Sequence, residues 1–213
     1  MSGQINRGSR PGELIYDLSR DTTNKTFVEI GTWNGQGSTK CFMDALFERD
    51  DDSVLYSIES HSVFYDQAVT YWAPITAAYR RKKIHLLLGR IIEPSEIMTL
   101  EEIKTSEVGP PRHTGWEEWH SGDIKWYNKK ECINIFDKLP PSIDVLLLDG
   151  GEFSSYAEYK KINDRANIIL LDDSNILKNY DVKKDLLVSK EWDVLKDYSN
   201  ERNGFIAFKR ASS

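Results

Sequence analysis

The sequence is poor in cysteine: Cys41 and Cys132 are its two thiols, far apart and outside any C-x-x-C pattern. That excludes a disulfide scaffold and fits buried thiols in a reducing compartment. Basic charge is also short. A net charge of −6 at pH 7 argues against a nucleic-acid binder, which usually presents a basic surface. Apolar runs of membrane-spanning length are missing, and the polar opening over residues 1–10 does not read as a secretory signal. Internal repeats and low-complexity segments are missing too. A cytoplasmic protein with neither membrane nor nucleic-acid partner is expected. At 39% hydrophobic and 29% charged residues, the composition is that of a globular protein, and 213 residues suit one domain over 1–213.

The most informative segment is residues 27–37, Phe27-Val28-Glu29-Ile30-Gly31-Thr32-Trp33-Asn34-Gly35-Gln36-Gly37. A short apolar run with a carboxylate breaks into a loop with three glycines, and a helix-like stretch begins at Ser38. In a doubly wound α/β fold this is where a ligand lies over the carboxyl end of the first strand. Glycine permits positive φ and lets a ligand approach the backbone, and the next helix turns its first amides toward anionic groups. Two ligand classes are excluded by spacing. A phosphate-binding P-loop requires lysine where Gly37 stands, and a dinucleotide fingerprint requires a third glycine where Lys40 stands.

Periodicity and turn signals give an alternating strand–helix order. Strands are expected at 27–30, 54–58, 84–88, 143–148 and 167–171, with a closing hairpin of 192–198 and 204–209. Helices are expected at 11–19, 38–49, 61–80 (with Pro74 as a kink or break), 94–104, 129–138, 154–164 and 182–189. The expected fold is a Rossmann-like, doubly wound, seven-stranded, mostly parallel sheet with an antiparallel C-terminal hairpin. Residues 105–128 read as one long irregular loop, and loops of that length usually act as lids or binding segments.

The glycine string with its flanking Glu29 resembles motif I of the class I S-adenosylmethionine (SAM)-dependent methyltransferases, and the element order extends that resemblance over nearly the whole chain. The resemblance implies SAM as cofactor. It implies that Glu59, at the end of the second strand, accepts hydrogen bonds from the ribose hydroxyls. It places backbone contacts at Gly31, Thr32, Gly35 and Gly37, polar contacts at Asn34 and Ser38, and adenine contacts at Gly89-Arg90. Glu29 either reaches the cofactor's amino group or caps the glycine-loop amides. Ser38 is a contact or a helix cap, and Trp33 shields the cofactor or fills a packing seam.

Chemistry is expected at the ends of the fourth and fifth strands, Asp149-Gly150-Gly151-Glu152 and Asp172-Asp173-Ser174-Asn175. Acids crowded at adjacent strand ends are costly unless a cation or a proton separates them. The set resembles that of divalent-metal-dependent O-methyltransferases, which implies Mg²⁺ or Mn²⁺ on Asp149, Asp172 and Asp173; the alternative is that Asp149 only orients cofactor or substrate and Asp172-Asp173 caps the next helix. Catechol-type members of that group place a lysine base where Glu152 stands, so Glu152 and His61 become the candidate bases beside Asp149, followed by His113 and His120. Three of the six tryptophans, Trp116, Trp119 and Trp126, fall in the long loop, where they either suit a sugar ring or anchor the loop on the body of its own domain. The implied activity is O-methylation of a small molecule or glycan, with similarity to small sugar O-methyltransferases and, loosely, to modules of viral glycan enzymes. A homodimer or a module of a larger glycan-modifying enzyme is the expected assembly. The alternatives are a non-catalytic SAM-fold binding module and a dinucleotide-binding α/β enzyme.

Overall fold

A computed structural model describes residues 5–78 and 83–211. Among these residues, seven strands form one sheet: β1 (Thr26–Ile30), β2 (Val54–Glu59), β3 (Ile84–Leu88), β4 (Ile143–Leu148), β5 (Ala166–Asp172), β6 (Trp192–Asp197) and β7 (Phe205–Arg210). Their order is β3-β2-β1-β4-β5-β7-β6, with β7 antiparallel to both of its neighbours. Seven helices accompany them: α1 (Arg10–Arg20), α2 (Ser38–Leu46), α3 (Ser62–Thr76), α4 (Leu100–Thr105), α5 (Trp116–Tyr127), α6 (Ser155–Ile162) and α7 (Tyr180–Val188). The doubly wound expectation holds.

The central strands β4 and β5 are mostly apolar because helices cover both of their faces. Val145, Leu147, Ile168 and Leu170 pack with Ile15 of α1, Phe42 and Leu46 of α2, and Trp72 of α3. The alternate residues Leu146, Leu148, Ile169 and Leu171 pack on the opposite face with Ile103, Tyr127, Ile162 and Leu186. Period-two alternation thus splits one sheet into two cores.

Three expected elements differ. The loop at 105–128 contains α5, which His120 and Tyr127 anchor by burial. The helix expected at 129–138 is a series of turns ending in a 3₁₀ turn at Phe136–Lys138. There the Arg90 N–H donates to the Ile133 carbonyl and the Ile135 N–H to the Arg90 carbonyl, which holds the chain extended beside Arg90. The buried Cys132 and Ile135 mimic a helical spacing without forming one. The helix expected at 94–104 divides into a 3₁₀ turn at Pro94–Glu96 and α4, because Thr99 and Glu102 form a capping box that starts a new helix. Pro74 lies inside α3 near its end, and the last residues of the expected 61–80 helix fall outside the described residues.

Register positions the site. Ile30, Ile58 and Leu148 share one row across β1, β2 and β4, and Leu171 of β5 pairs with Leu148. The next residues, Gly31, Glu59, Asp149 and Asp172, therefore emerge side by side at the carboxyl edge. The chain reverses its strand order between β1 and β4, which places the crevice at that point.

Candidate active site

A cleft of about 640 Å³ opens over this row of strand ends. Its wall includes Gly31, Thr32, Trp33, Gly37 and Ser38 from the glycine loop, Glu59 and His61 after β2, and Gly89 and Arg90 after β3. Asp149, Gly150, Gly151 and Glu152 line it from the β4 loop, and Asp172, Asp173, Lys178 and Arg202 from the far side. Asn34, Gly35 and Glu29, three expected cofactor contacts, do not line it. Asn34 Oδ1 accepts the Gln36 N–H at 3.1 Å and shapes the loop from within.

Two glycines are required by the chain itself rather than by a ligand. Gly31 has φ +105°, and a Cβ there would stand 2.1 Å from the Asp149 carbonyl oxygen. Gly35 has φ +74° and is covered by Trp72, whose indole Nε1 donates to the Gly35 carbonyl at 2.9 Å. The loop is thus clamped from β4 on one side and α3 on the other.

The two acids of the glycine-loop region behave differently. Glu29 is 0% exposed and accepts three hydroxyls: Ser38 Oγ at 2.5 Å, Ser57 Oγ at 2.6 Å and Thr39 Oγ1 at 2.7 Å. Burial raises its pKa, against the pull of these three bonds. Glu29 does not line the cleft, and its partners are side-chain hydroxyls of α2 and β2 rather than loop amides. Ser38 is bound to the same network. Glu59, in contrast, lines the cleft and is held by two backbone donors, Trp33 N–H at 2.7 Å and His61 N–H at 2.8 Å. Burial raises its pKa to about 7, opposed by those N–H groups. Trp33 adopts φ +49° and packs edge-on against Phe64, so its ring forms part of the cleft wall.

Asp149, Asp172 and Asp173 converge, with one oxygen of each within 4.8 Å of the others. Burial raises the pKa of Asp149, opposed by Lys178, and that of Asp172, reinforced by Asp149. Two cations stand among them. Lys178 Nζ donates to Asp149 Oδ1 at 2.5 Å, and Arg202 Nη2 reaches Asp172 Oδ2 at 3.2 Å and Asp173 Oδ1 at 3.3 Å. Burial disfavours the Lys178 ammonium, but Asp149, Asp173 and Asp172 more than offset this and hold its pKa above the ordinary lysine value. A divalent ion does not fit a donor set already engaged by these groups.

The part of the cleft lined by α5 and the β4 loop is acidic and aromatic. Trp119, Asp123, Trp126 and Tyr127 of α5 line the cleft from one helical face. Glu152 is buried, Oε1 has no hydrogen-bond partner among the described residues, and burial raises its pKa to about 7. Burial also lifts Asp123 to about 6, with Glu158 adding to it. His61 lines the cleft with its ring 3.5 Å from the Trp126 ring centre, and burial and then Lys129 lower its pKa. His120 is structural: its Nε2 pairs with the Met98 carbonyl at 2.6 Å. His113 is exposed and does not line the cleft. The structure also brings in Asp123, Glu158, Lys178 and Arg202, which sequence reasoning does not single out. Only the position of Asp123, four residues after Trp119, carries a signal that helical phasing would read.

No protein-family model matches the sequence, and no curated protein matches it. Solved structures do match over nearly the whole chain. A methyltransferase from Geobacter sulfurreducens is 14% identical, with 98% of this chain and 82% of that one covered at a TM-score of 0.58. The O-methyltransferase TomG from Streptomyces achromogenes, involved in tomaymycin synthesis and solved with SAM, is 15% identical at TM-score 0.57, covering 96% and 81%. An O-methyltransferase from Bacillus cereus in complex with SAH is 10% identical at TM-score 0.59, covering 98% and 84%. The chain has the fold of these methyltransferases. At this identity the likeness speaks for the fold.

Proposed function

We propose that this protein is a methyltransferase that uses SAM to methylate a hydroxyl group of a small molecule or glycan. Glu59 carries the reading. It ends β2, one strand over from the glycine loop, and two backbone N–H groups fix its carboxylate in the cleft wall. A carboxylate so placed accepts the two hydroxyls of a ribose with charge assistance. The complexes of TomG with SAM and of the Bacillus cereus protein with SAH support the choice of cofactor.

Bound there, SAM supplies an electrophilic methyl group on a sulfonium. The glycine loop and Glu59 fix its orientation, and the β4 and β5 ends present the acceptor, so most of the catalytic effect is alignment. Glu152 takes the proton. Its carboxylate is buried in the cleft wall and has a raised pKa, so near neutral pH it is a competent base. As the acceptor oxygen bonds to the methyl carbon, the carbon–sulfur bond breaks and the hydroxyl proton passes to Glu152.

The α5 face favours a sugar acceptor. Trp119 and Trp126 offer flat apolar surfaces beside Asp123, a combination that stacks a ring's C–H face while accepting its hydroxyls. Methyl transfer from labelled SAM to a panel of glycosides and catechols tests this. Label on glycosides is expected. Label on catechols alone would remove the sugar assignment, and label on no acceptor would favour a binding module without catalysis.

A further inference from the structure

The carboxylates at the ends of β4 and β5 already hold a cation. Lys178 Nζ lies 2.5 Å from Asp149 Oδ1 and 3.4 Å from Asp173 Oδ2. Arg202 and Asn203 donate to the other oxygen of Asp173, at 3.3 and 3.0 Å. Both oxygens of Asp173 are therefore engaged by N–H donors. A hard divalent ion binds carboxylate oxygens at roughly 2.0–2.6 Å, the distance at which the ammonium already stands from Asp149. The two positive charges compete for one position.

We infer that Lys178 is the resident cation of this site in place of a divalent metal ion, and that its ammonium holds the acceptor oxygen beside the methyl donor. The second half rests on the methyl-transfer reading; the first half does not. The position of Lys178 is built by its surroundings. Asn179 Nδ2 donates to the Leu148 carbonyl at 3.0 Å and the Asp172 carbonyl at 2.6 Å, tying the loop before α7 to the ends of both β4 and β5. Asp173 turns the chain with φ +53°. Lys178 thus enters the cleft from a loop stapled to the sheet, and its side chain is 8% exposed. An ammonium has three N–H donors. Asp149 and Asp173 take two, and the third serves an acceptor oxygen as negative charge develops on it. Three carboxylates against one ammonium and one guanidinium leave a formal charge of −1. Without Lys178 the charge falls to −2 and oxygen ligands are freed, which is the composition of a divalent-ion site.

Mn²⁺ titration followed by electron paramagnetic resonance tests the inference on the wild type, K178A and K178Q, with folding checked by circular dichroism. The wild type is expected to leave the free Mn²⁺ signal unchanged, and the variants to take up one ion. K178Q keeps a donor for Asp149 and stands in if K178A does not fold, while the wild-type titration decides by itself whether the native site takes the ion. Stoichiometric Mn²⁺ binding by the wild type would overturn the inference, as would folded variants that leave Mn²⁺ free. SAH titration of the same samples keeps the two readings apart. Loss of SAH binding in all three proteins overturns the methyl-transfer reading and the acceptor role, while the Mn²⁺ result still decides the identity of the cation.

Discussion

The backbone N–H of Trp33, the third residue of the loop after β1, ends on the Glu59 carboxylate at 2.7 Å. One bond thereby locks the glycine loop to the acid that closes β2. Glu59→Ala removes a charged acceptor from the cleft and releases the loop. Isothermal titration is expected to show SAH binding weakened by about 1–3 kcal/mol, the usual loss when one side of a charged hydrogen bond is removed. Unchanged affinity would place the ribose elsewhere.

Glu152 must be ionised to accept a proton, and burial holds its pKa at about 7. The rate kcat/KM should therefore rise with pH through a step near neutrality and level off above it. Glu152→Gln should lower the plateau by about 10²–10⁴-fold and remove the step. A step of the same size and position in the variant would move the base to another group, with His61 the next in the cleft.

The same carboxylates make stability depend on pH. In the fold, Glu59 and Glu152 hold their protons up to about pH 7, against an ordinary value of 4.5. The native state therefore binds more protons than the unfolded chain over that interval, and stability falls as pH rises through it. Thermal unfolding of the ligand-free protein should give a higher Tm at pH 5.5 than at pH 8, and Glu152→Gln should flatten the difference. A Tm that rises over this range would contradict the burial argument.

Gly31→Ala forces a Cβ to within 2.1 Å of the Asp149 carbonyl at φ +105°. Backbone strain alone costs about 1–3 kcal/mol, and the clash with β4 adds to it. At this chain length each kcal/mol lowers Tm by about 2–4 °C, so scanning calorimetry should show a fall of several degrees. Gly122, in the middle of α5, is the control, because an added methyl there would meet nothing within 4 Å. Gly122→Ala should stabilise slightly through its better helix propensity.

The sheet is legible because its central strands are rich in apolar residues, and Glu59, Asp149 and Asp172 are legible because each closes or follows such a strand. Glu29 misleads through its own strand. Period two places it on the face of Phe27, the face that α2 covers, so its oxygens meet Ser38 and Thr39 rather than the cleft. Helix α5 escapes a sequence reading because Gly115 precedes it, Gly122 interrupts it and its tryptophans read as loop aromatics. Lys178 and Arg202 lie in loops with no periodicity, and a lysine there looks like any solvated lysine. Their meeting with Asp149 and Asp173 depends on tertiary contacts across 29 residues of sequence that no local pattern encodes.

The central claim is that the cleft above β1, β2 and β4 is a SAM site gated by Glu59. Its most direct measurement is parallel isothermal titration of the wild type and Glu59→Ala with SAM, SAH and NAD. The account predicts binding of SAM and SAH to the wild type at one site per chain, weaker binding of both to the variant, and no heat with NAD. Binding of NAD with no response to SAM or SAH would contradict it.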